Sequence, residues 1–341
     1  MLPNIIPLQT IGELANITGV PYSYINNIIK LKEDSYRSFS ISKRSSNTKR
    51  KIFVPKPMLM KVQKAINRYI LQNIQPHPIA TAYSYGSNPI KNAAYHCNSS
   101  ILLKFDIKDF FHSFDERDVY YLFLSFGYNR LLSFQLARLC TKIVESTWFP
   151  NEYKDHYIYP SLTIKKKSTF LPQGCPTSPM LSNLLMRTFD NKLEMLANKF
   201  SLKCTRYSDD LTFSSESKMS QDSIKIVIAE VNKMLGKKFR MNREKQKVYH
   251  KGQRKIVTGL IVNNDTPKLT KAFKNDLRMH VHFIAKYGYV EHALKRNCDP
   301  FSFYNHFNGR MKWAELIEPA FVNKLKHLLV NISIPFTYSA E

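Results

Sequence analysis

The sequence predicts an α+β fold whose strands carry carboxylates and whose C-terminal part is helical. Three observations predict it. Two short β-prone segments flank the adjacent acids Asp209 and Asp210 within 204–214. An apolar run, 101–105, leads directly into Asp106. Beyond Asp265 the apolar residues recur at helical spacing.

Composition sets the frame for these elements. With 341 residues, 43% of them hydrophobic, the chain can bury a large core and form two or three lobes. It has 51 Lys and Arg against 26 Asp and Glu, a formal net charge of +25. Such an excess implies a polyanionic partner, either nucleic acid or an anionic membrane. No apolar run approaches the ~18 residues of a membrane span. The start Met1-Leu2-Pro3-Asn4 lacks the basic region of a secretion signal. Nucleic acid is therefore the expected partner, no membrane is expected, and the cytoplasm is the expected location. The five cysteines are scattered and form no C-x-x-C pair, which fits a reducing compartment and small buried side chains.

Taken in order, the first forty residues read as mostly helical. From Ser35 to Phe105 there is no Asp or Glu, while Arg37, Lys43, Arg44, Lys49, Arg50, Lys51, Lys56, Lys61, Lys64, Arg68, Lys91 and Lys104 all occur there. A solvated surface usually mixes signs, so a one-signed stretch points to phosphate contacts. Tyr69, Tyr83, Tyr85 and Tyr95 are interleaved and are able to stack on bases, although each also suits core or ordinary surface.

The segment 101–105 reads as a buried strand, with Asp106 standing where the apolar run should continue. A buried carboxylate needs a partner, either a lysine or a metal ion. Leu171-Pro172-Gln173-Gly174 and the residues after it are turn chemistry, followed by a helix opening near Ser178-Pro179. A glycine-bearing loop entering a helix N-terminus can approach a nucleotide closely. The run 204–214 reads as a hairpin with Asp209 and Asp210 at its tip. Alone, that pair is also an ordinary Asp-Asp turn. With Asp106 it becomes a carboxylate set able to hold Mg²⁺, a hard cation that takes oxygen ligands. Val257-Thr258-Gly259 reads as a strand ending at a bulge, and 266–341 as basic helices with Phe303, Tyr304, Phe307 and Trp313 in their core.

Together, Phe105-Asp106, Leu171-Pro172-Gln173-Gly174 with Ser178-Pro179, and Tyr207-Ser208-Asp209-Asp210 resemble the ordered blocks of the reverse transcriptase palm. The resemblance covers about 45–265. It implies a right-hand polymerase with helical and β fingers, an antiparallel-sheet palm and a C-terminal helical thumb. The implied divisions are N-terminal helices and fingers over 1–100, palm over 101–265 with a finger insertion at about 117–170, and an RNA-binding thumb over 266–341.

Carried over by position, the resemblance makes Asp106, Asp209 and Asp210 the catalytic ligands of two Mg²⁺ ions, with the Ile107 carbonyl completing one site. Such a pair would clamp the attacking and leaving oxygens of a phosphoryl displacement. Lys245 falls where a lysine would protonate the leaving pyrophosphate, although Gln246 replaces the Thr that commonly follows it. Arg50, Phe111, Gln173 and Gly174 would form the dNTP pocket. Phe111 takes the sugar-gate position, where a core aromatic is also compatible. Arg50 would hold the triphosphate or touch template backbone, and 257–262 would be the strand that supports the primer end.

Asn92-Ala93-Ala94-Tyr95-His96 and Val257-Thr258-Gly259 match N-A-x-x-H and V-T-G patterns that resemble bacterial retron reverse transcriptases. Ser208 stands where those enzymes commonly carry Ala, and His112 replaces a frequent Pro. On this resemblance Asn92, His96, Val257, Thr258, Gly259, Arg310 and Lys312 would contact RNA. The partners would be a cognate structured non-coding RNA serving as template and primer, dNTPs, the RNA–DNA product and a separately encoded effector protein. The activity would be RNA-directed synthesis of branched multicopy single-stranded DNA (msDNA) from a guanosine 2′-OH, in anti-phage defence. Two other readings use the same palm: a phage-resistance (abortive infection) type reverse transcriptase with untemplated or protein-primed synthesis, and an RNA-binding protein on an inactive polymerase fold.

Overall fold

The computed structural model describes residues 8–42, 49–145 and 167–332. Lys43, Arg44 and the central part of the 117–170 insertion lie outside the described residues. The chain divides into two compact units. The first comprises Met1–Ser87, Leu103–Phe213 and Met219–Lys247, and the second comprises Asn88–Leu102, Ser214–Lys218 and Val248–Glu341.

Along the chain come α1 (Ile11–Thr18), α2 (Tyr22–Ile29), β1 (Tyr36–Ser42), β2 (Lys49–Pro55), α3 (Pro57–Tyr69), α4 (Pro89–Tyr95) and β3 (Ile101–Lys108). Next are α5 (Glu116–Ser125), α6 (Arg130–Cys140), β4 (Lys142–Glu145), β5 (Lys167–Phe170), α7 (Ser178–Leu185), α8 (Arg187–Lys199), β6 (Lys203–Tyr207) and β7 (Asp210–Ser215). The rest are α9 (Gln221–Leu235), β8 (Arg240–Met241), β9 (Lys247–Tyr249), β10 (Ile256–Val257), β11 (Leu260–Ile261), α10 (Lys271–Lys295), α11 (Pro300–Ile317) and α12 (Pro319–His327). This is the mixed helix-and-strand class that the sequence predicts.

In the first unit, helix starts follow local chemistry. Thr10 caps α1 through the Glu13 N–H, and Asp115 and Asp118 form a reciprocal capping box on α5. The central sheet has the order β6–β7–β3–β8, with β3 and β8 antiparallel in the register Ile107↔Met241. Strand β3 is buried at every position except Lys104 and Lys108, so both of its faces are covered and its apolar run is nearly continuous. Strands β1 and β2 form a separate antiparallel ribbon that places Arg50 opposite Ile41. The expected single helix after Ser178 is two helices, α7 and α8, meeting at Met186.

The second unit packs Val257, Leu260 and Val262 with Leu277, Val281, Ile284, Phe303, Phe307, Met311 and Val322. Tyr304 and Trp313 cover this core, as the sequence suggests. Helix α10 kinks at Gly288, which takes φ 80°. The expected strand over 257–262 is a tight hairpin, with β10 and β11 paired Val257↔Leu260. Its turn residues, Thr258 and Gly259, have φ 44° and 83°. Positive φ at both central positions is what a type I′ hairpin turn requires, and it breaks the strand. A β-branched residue rarely adopts this conformation, and the Thr258 hydroxyl holds it by donating to the Pro89 carbonyl at 2.8 Å.

Candidate active site

The hairpin β6–β7 sets the site. Its two-residue turn is Ser208-Asp209, and Asp210 opens β7. Ser208 takes φ 62°, the sign that primed hairpin turns need at their first central position. The Ile107 N–H donates to the Asp209 carbonyl at 3.0 Å, so the turn lies against β3 beside Asp106.

Asp106 is 4% exposed. Its Oδ1 accepts from Asn242 Nδ2 at 3.0 Å and its Oδ2 from Lys245 Nζ at 2.7 Å. Its carbonyl accepts from the Asn242 N–H at 2.8 Å, which fixes the loop after β8 against β3. Burial, then Asp210 and Asp106, push the Asp209 carboxyl up to about 6, against a backbone hydrogen bond and Lys245. Burial also raises Asp210, opposed by the Lys104 ammonium, with Asp106 adding to the rise. Burial would lower the Lys245 ammonium, but the hydrogen bond and charge of Asp106, with Asp209 and Asp210, outweigh it and raise it. The structure therefore gathers Asp106, Asp209, Asp210 and Lys245 into one centre, with Ile107 next to it in β3.

Whether these residues suit a divalent cation is decided by charge and by donor type. Three carboxylates in mutual repulsion form an oxygen-only set with surplus negative charge, which matches the chemistry of Mg²⁺. Among the described residues, no group of three or more His, Cys, Asp and Glu side chains is arranged to hold a metal ion. At Asp106, Lys245 and Asn242 engage both carboxylate oxygens. The donor set fits such a cation, and Lys245 is the counter-charge paired with Asp106.

The expected nucleotide-pocket residues occur in the same unit. Phe111 lies 6.5 Å, centroid to centroid, from the Tyr83 ring, and the Tyr83 hydroxyl donates to Ser208 Oγ at 2.8 Å. The Gln173 carbonyl accepts from the Phe53 N–H at 2.8 Å, while Gln173 Oε1 is buried with no hydrogen-bond partner. Gly174, at φ 109°, passes so close to β2 that a Cβ there would stand 2.7 Å from the Phe53 carbonyl oxygen. Glycine is thus demanded here by backbone packing and by the positive φ. Arg50 is exposed on β2, near enough for its charge to help lower His112, although burial is the main cause of that shift.

The seven residues singled out for RNA contact all fall in the second unit. Asn92, His96 and Val257 are buried, and His96 Nδ1 lies 2.7 Å from Ser214 Oγ. Thr258 and Gly259 form the hairpin turn described above. Arg310 pairs with Asp276 and lies 4.7 Å from the Phe273 ring centroid. Lys312 is exposed on α11.

The sequence reading put Lys104 in the one-signed basic stretch and not beside the aspartates, and it did not single out Asn242 or the buried Arg206. Lys104 was legible through strand period, because it shares a face of β3 with Asp106. Arg206 stands in the polar strand Lys203–Tyr207, which gave no signal that it is buried; the structure identifies its partner as Asp190. Asn242 depends on loop geometry and had no sequence signal.

The sequence profile of the family described as "Reverse transcriptase (RNA-dependent DNA polymerase)" matches residues 41–275. The retron Mx162 reverse transcriptase of Myxococcus xanthus is 31% identical over 261 residues, covering 72% of this chain and 52% of its own. The retron Ec86 reverse transcriptase of Escherichia coli is 25% identical, covering 84% and 82%, and the retron Mx65 enzyme of Myxococcus xanthus is 29% identical, covering 85% and 63%. The chain thus spans about half the length of the first of these relatives and most of the second. Among solved structures, a Candida albicans telomerase in complex with a fragment of telomeric RNA overlaps 89% of this chain and 57% of its own, at TM-score 0.45 and 11% identity. With its aspartate motifs gathered at one centre and its profile matched over most of its length, the chain belongs to the reverse transcriptase family, among the bacterial retron enzymes.

Proposed function

We propose that the protein is the RNA-directed DNA polymerase of a bacterial retron. In this reading it copies a cognate structured non-coding RNA from the 2′-OH of a guanosine and yields branched msDNA. The observation that carries it is the meeting of Asp106, Asp209, Asp210 and Lys245 in one buried, mutually repelling centre. That centre lies in a chain whose curated relatives are retron reverse transcriptases.

Asp106, Asp209, Asp210 and the Ile107 carbonyl would hold two Mg²⁺ ions, which when bound would supply charge stabilisation for both oxygens of the displacement. The Lys245 ammonium, paired with Asp106, would be the proton donor for leaving pyrophosphate. Gln173, with its unsatisfied Oε1, offers an acceptor to an incoming nucleotide. Phe111, backed by Tyr83, would crowd a ribose 2′-OH and select dNTPs. Gly174 would let the loop approach the nucleotide, and Arg50 would grip its triphosphate, in the bidentate manner available to a guanidinium.

RNA recognition falls to the second unit. Lys312 and Gly259 supply exposed contacts and Arg310 a partly buried one, while Asn92, His96, Val257 and Thr258 shape the surface that presents them. In domain terms, fingers occupy 1–100 and the insertion near 117–170, the palm 101–265 and the thumb 266–341. The protein would act in the cytoplasm, in anti-phage defence beside a separately encoded effector. No helix among the described residues is long and apolar enough to cross a membrane.

The test is the nucleic acid that co-purifies with the protein expressed from its native locus. After RNase digestion, a discrete short DNA carrying a residual RNA branch, absent from Asp209→Asn/Asp210→Asn, is the expected result. DNA covalently bound to protein would instead indicate the protein-primed alternative, and RNA without any DNA would indicate a binding protein.

A further inference from the structure

The catalytic turn is held from beneath by a network that the metal chemistry does not use. Arg206, in β6, is completely buried. Its Nε and Nη2 donate to the two carboxylate oxygens of Asp190, each at 2.6 Å. Its Nη1 donates to Asn183 Oδ1 at 3.1 Å and to the Ser208 carbonyl at 3.2 Å. Asn183 is fixed in turn, because its Nδ2 donates to the Ala82 carbonyl at 2.7 Å.

The backbone of Arg206 is pinned by the same segment. Its N–H donates to the Ile79 carbonyl at 2.7 Å, and its carbonyl accepts from the Thr81 N–H at 2.9 Å. Two residues further along that segment, Tyr83 donates its hydroxyl to Ser208 Oγ at 2.8 Å. Ser208 is therefore gripped at its carbonyl by Arg206 and at its side chain by Tyr83.

Ser208 is also the strained residue of the turn. It is not a glycine, yet it takes φ 62°. Such a conformation persists only where the surroundings over-determine it. The Ser208 carbonyl belongs to the peptide plane that leads into Asp209. Fixing that plane fixes the direction in which the Asp209 side chain leaves the backbone, close to Asp106.

A buried ion pair is a poor way to gain stability, because desolvation offsets most of its attraction and an apolar pair packs as well. An apolar pair, however, has no donor for the Ser208 carbonyl. Lysine is not equivalent either, since only the guanidinium fork can reach Asp190, Asn183 and Ser208 together.

We propose that Arg206 and Tyr83 are positioning residues for the catalytic carboxylates, setting through Ser208 the geometry in which Asp209 meets a divalent cation. The proposal rests on the polymerase reading of this site and assigns these residues no contact with substrate.

The test measures Mn²⁺ affinity by electron paramagnetic resonance, alongside thermal unfolding and steady-state incorporation kinetics. Tyr83→Phe and Ser208→Ala each delete one hydrogen bond and leave no buried charge. Each is expected to weaken Mn²⁺ binding by about three- to tenfold, the factor carried by one such bond. The double variant should be no worse than either single one. The incorporation rate constant should fall while KM for dNTP stays within about twofold, since the brace acts on the carboxylates and not on the nucleotide. Arg206→Lys keeps a charge beside Asp190 but loses the fork, and should weaken Mn²⁺ binding by at least as much.

Wild-type Mn²⁺ affinity in folded Arg206→Lys, or in both Tyr83→Phe and Ser208→Ala, overturns the proposal, whatever happens to the melting temperature. If Arg206→Lys does not fold, the Tyr83 and Ser208 variants decide. A wild-type protein that binds Mn²⁺ but makes no DNA would overturn the polymerase reading alone, while the affinities would still judge the brace.

Discussion

Two carboxylate–cation pairs flank the catalytic turn, and they have opposite characters. Asp190 and Arg206 meet at 2.6 Å with both side chains 0% exposed. Asp106 and Lys245 meet at 2.7 Å, but the lysine side chain is 52% exposed while the aspartate is 6% exposed. Similar distances thus describe two different devices. The first pair is fixed, because neither charge can leave without stranding the other in the interior. The second is anchored on one side only, because the half-exposed Lys245 ammonium can be solvated by water without its partner. The difference shows how a site can be rigid in its backbone and open in its charge.

The largest expected effect lies in the fixed pair. Asp190→Ala strands the Arg206 guanidinium and should cost about 3–5 kcal/mol of stability. Denaturant unfolding measures it, and a loss below about 1 kcal/mol would break the distinction between the pairs.

Next in size is the charge of the turn itself. Asp209 is protonated more readily in the native state, with its carboxyl at about 6, than in the unfolded chain. The native state therefore binds more protons between about pH 4 and 6, and stability should fall as pH rises through that window. The loss is at most about 3 kcal/mol, and less because the carboxylate keeps some solvent contact. Asp209→Asn should flatten this profile and keep the protein folded. Unfolding midpoints across pH 4–8 would read it, and an unchanged pH slope in the variant would contradict the assignment.

The smallest effect belongs to the half-exposed pair. Lys245→Met takes one of two side-chain partners from the buried Asp106 carboxylate and leaves Asn242, so it should cost about 1–2 kcal/mol of stability, less than the fixed pair. It should tighten Mn²⁺ binding, since a competing ammonium is removed from Asp106, while slowing DNA synthesis if Lys245 donates the proton. Weaker Mn²⁺ binding in this variant would show that Lys245 helps to build the cation site and does not compete for it.

Much of this was legible in the residues. An acid ending an apolar run marked Asp106 as buried and partnered, and two acids between β-prone segments marked the hairpin. The strand and hairpin signals worked because side-chain alternation and turn chemistry act locally. Thr258-Gly259 was misread as part of a strand, since Val257 and Leu260–Val262 look continuous and a threonine at positive φ is held there only by the distant Pro89 carbonyl. The role of Asn242 was hidden because it depends on where a loop returns to β3. Arg206, Asp190 and Asn183 were illegible as a set for the same reason. Their spacing of 16 and 23 residues has no meaning until α7 and α8 fold back on β6. Ser208, which sequence alone treats as a small-for-small exchange, gained a partner in Tyr83 only in three dimensions.

The most direct test is single-turnover dNTP incorporation on a primed RNA template, with Mg²⁺ varied, for the wild type and for Asp209→Asn shown to be folded by its melting temperature. Synthesis that saturates with Mg²⁺ in the wild type and is lost in the folded variant is the predicted result. Equal synthesis by both would contradict the assignment of Asp106, Asp209 and Asp210 as the catalytic centre.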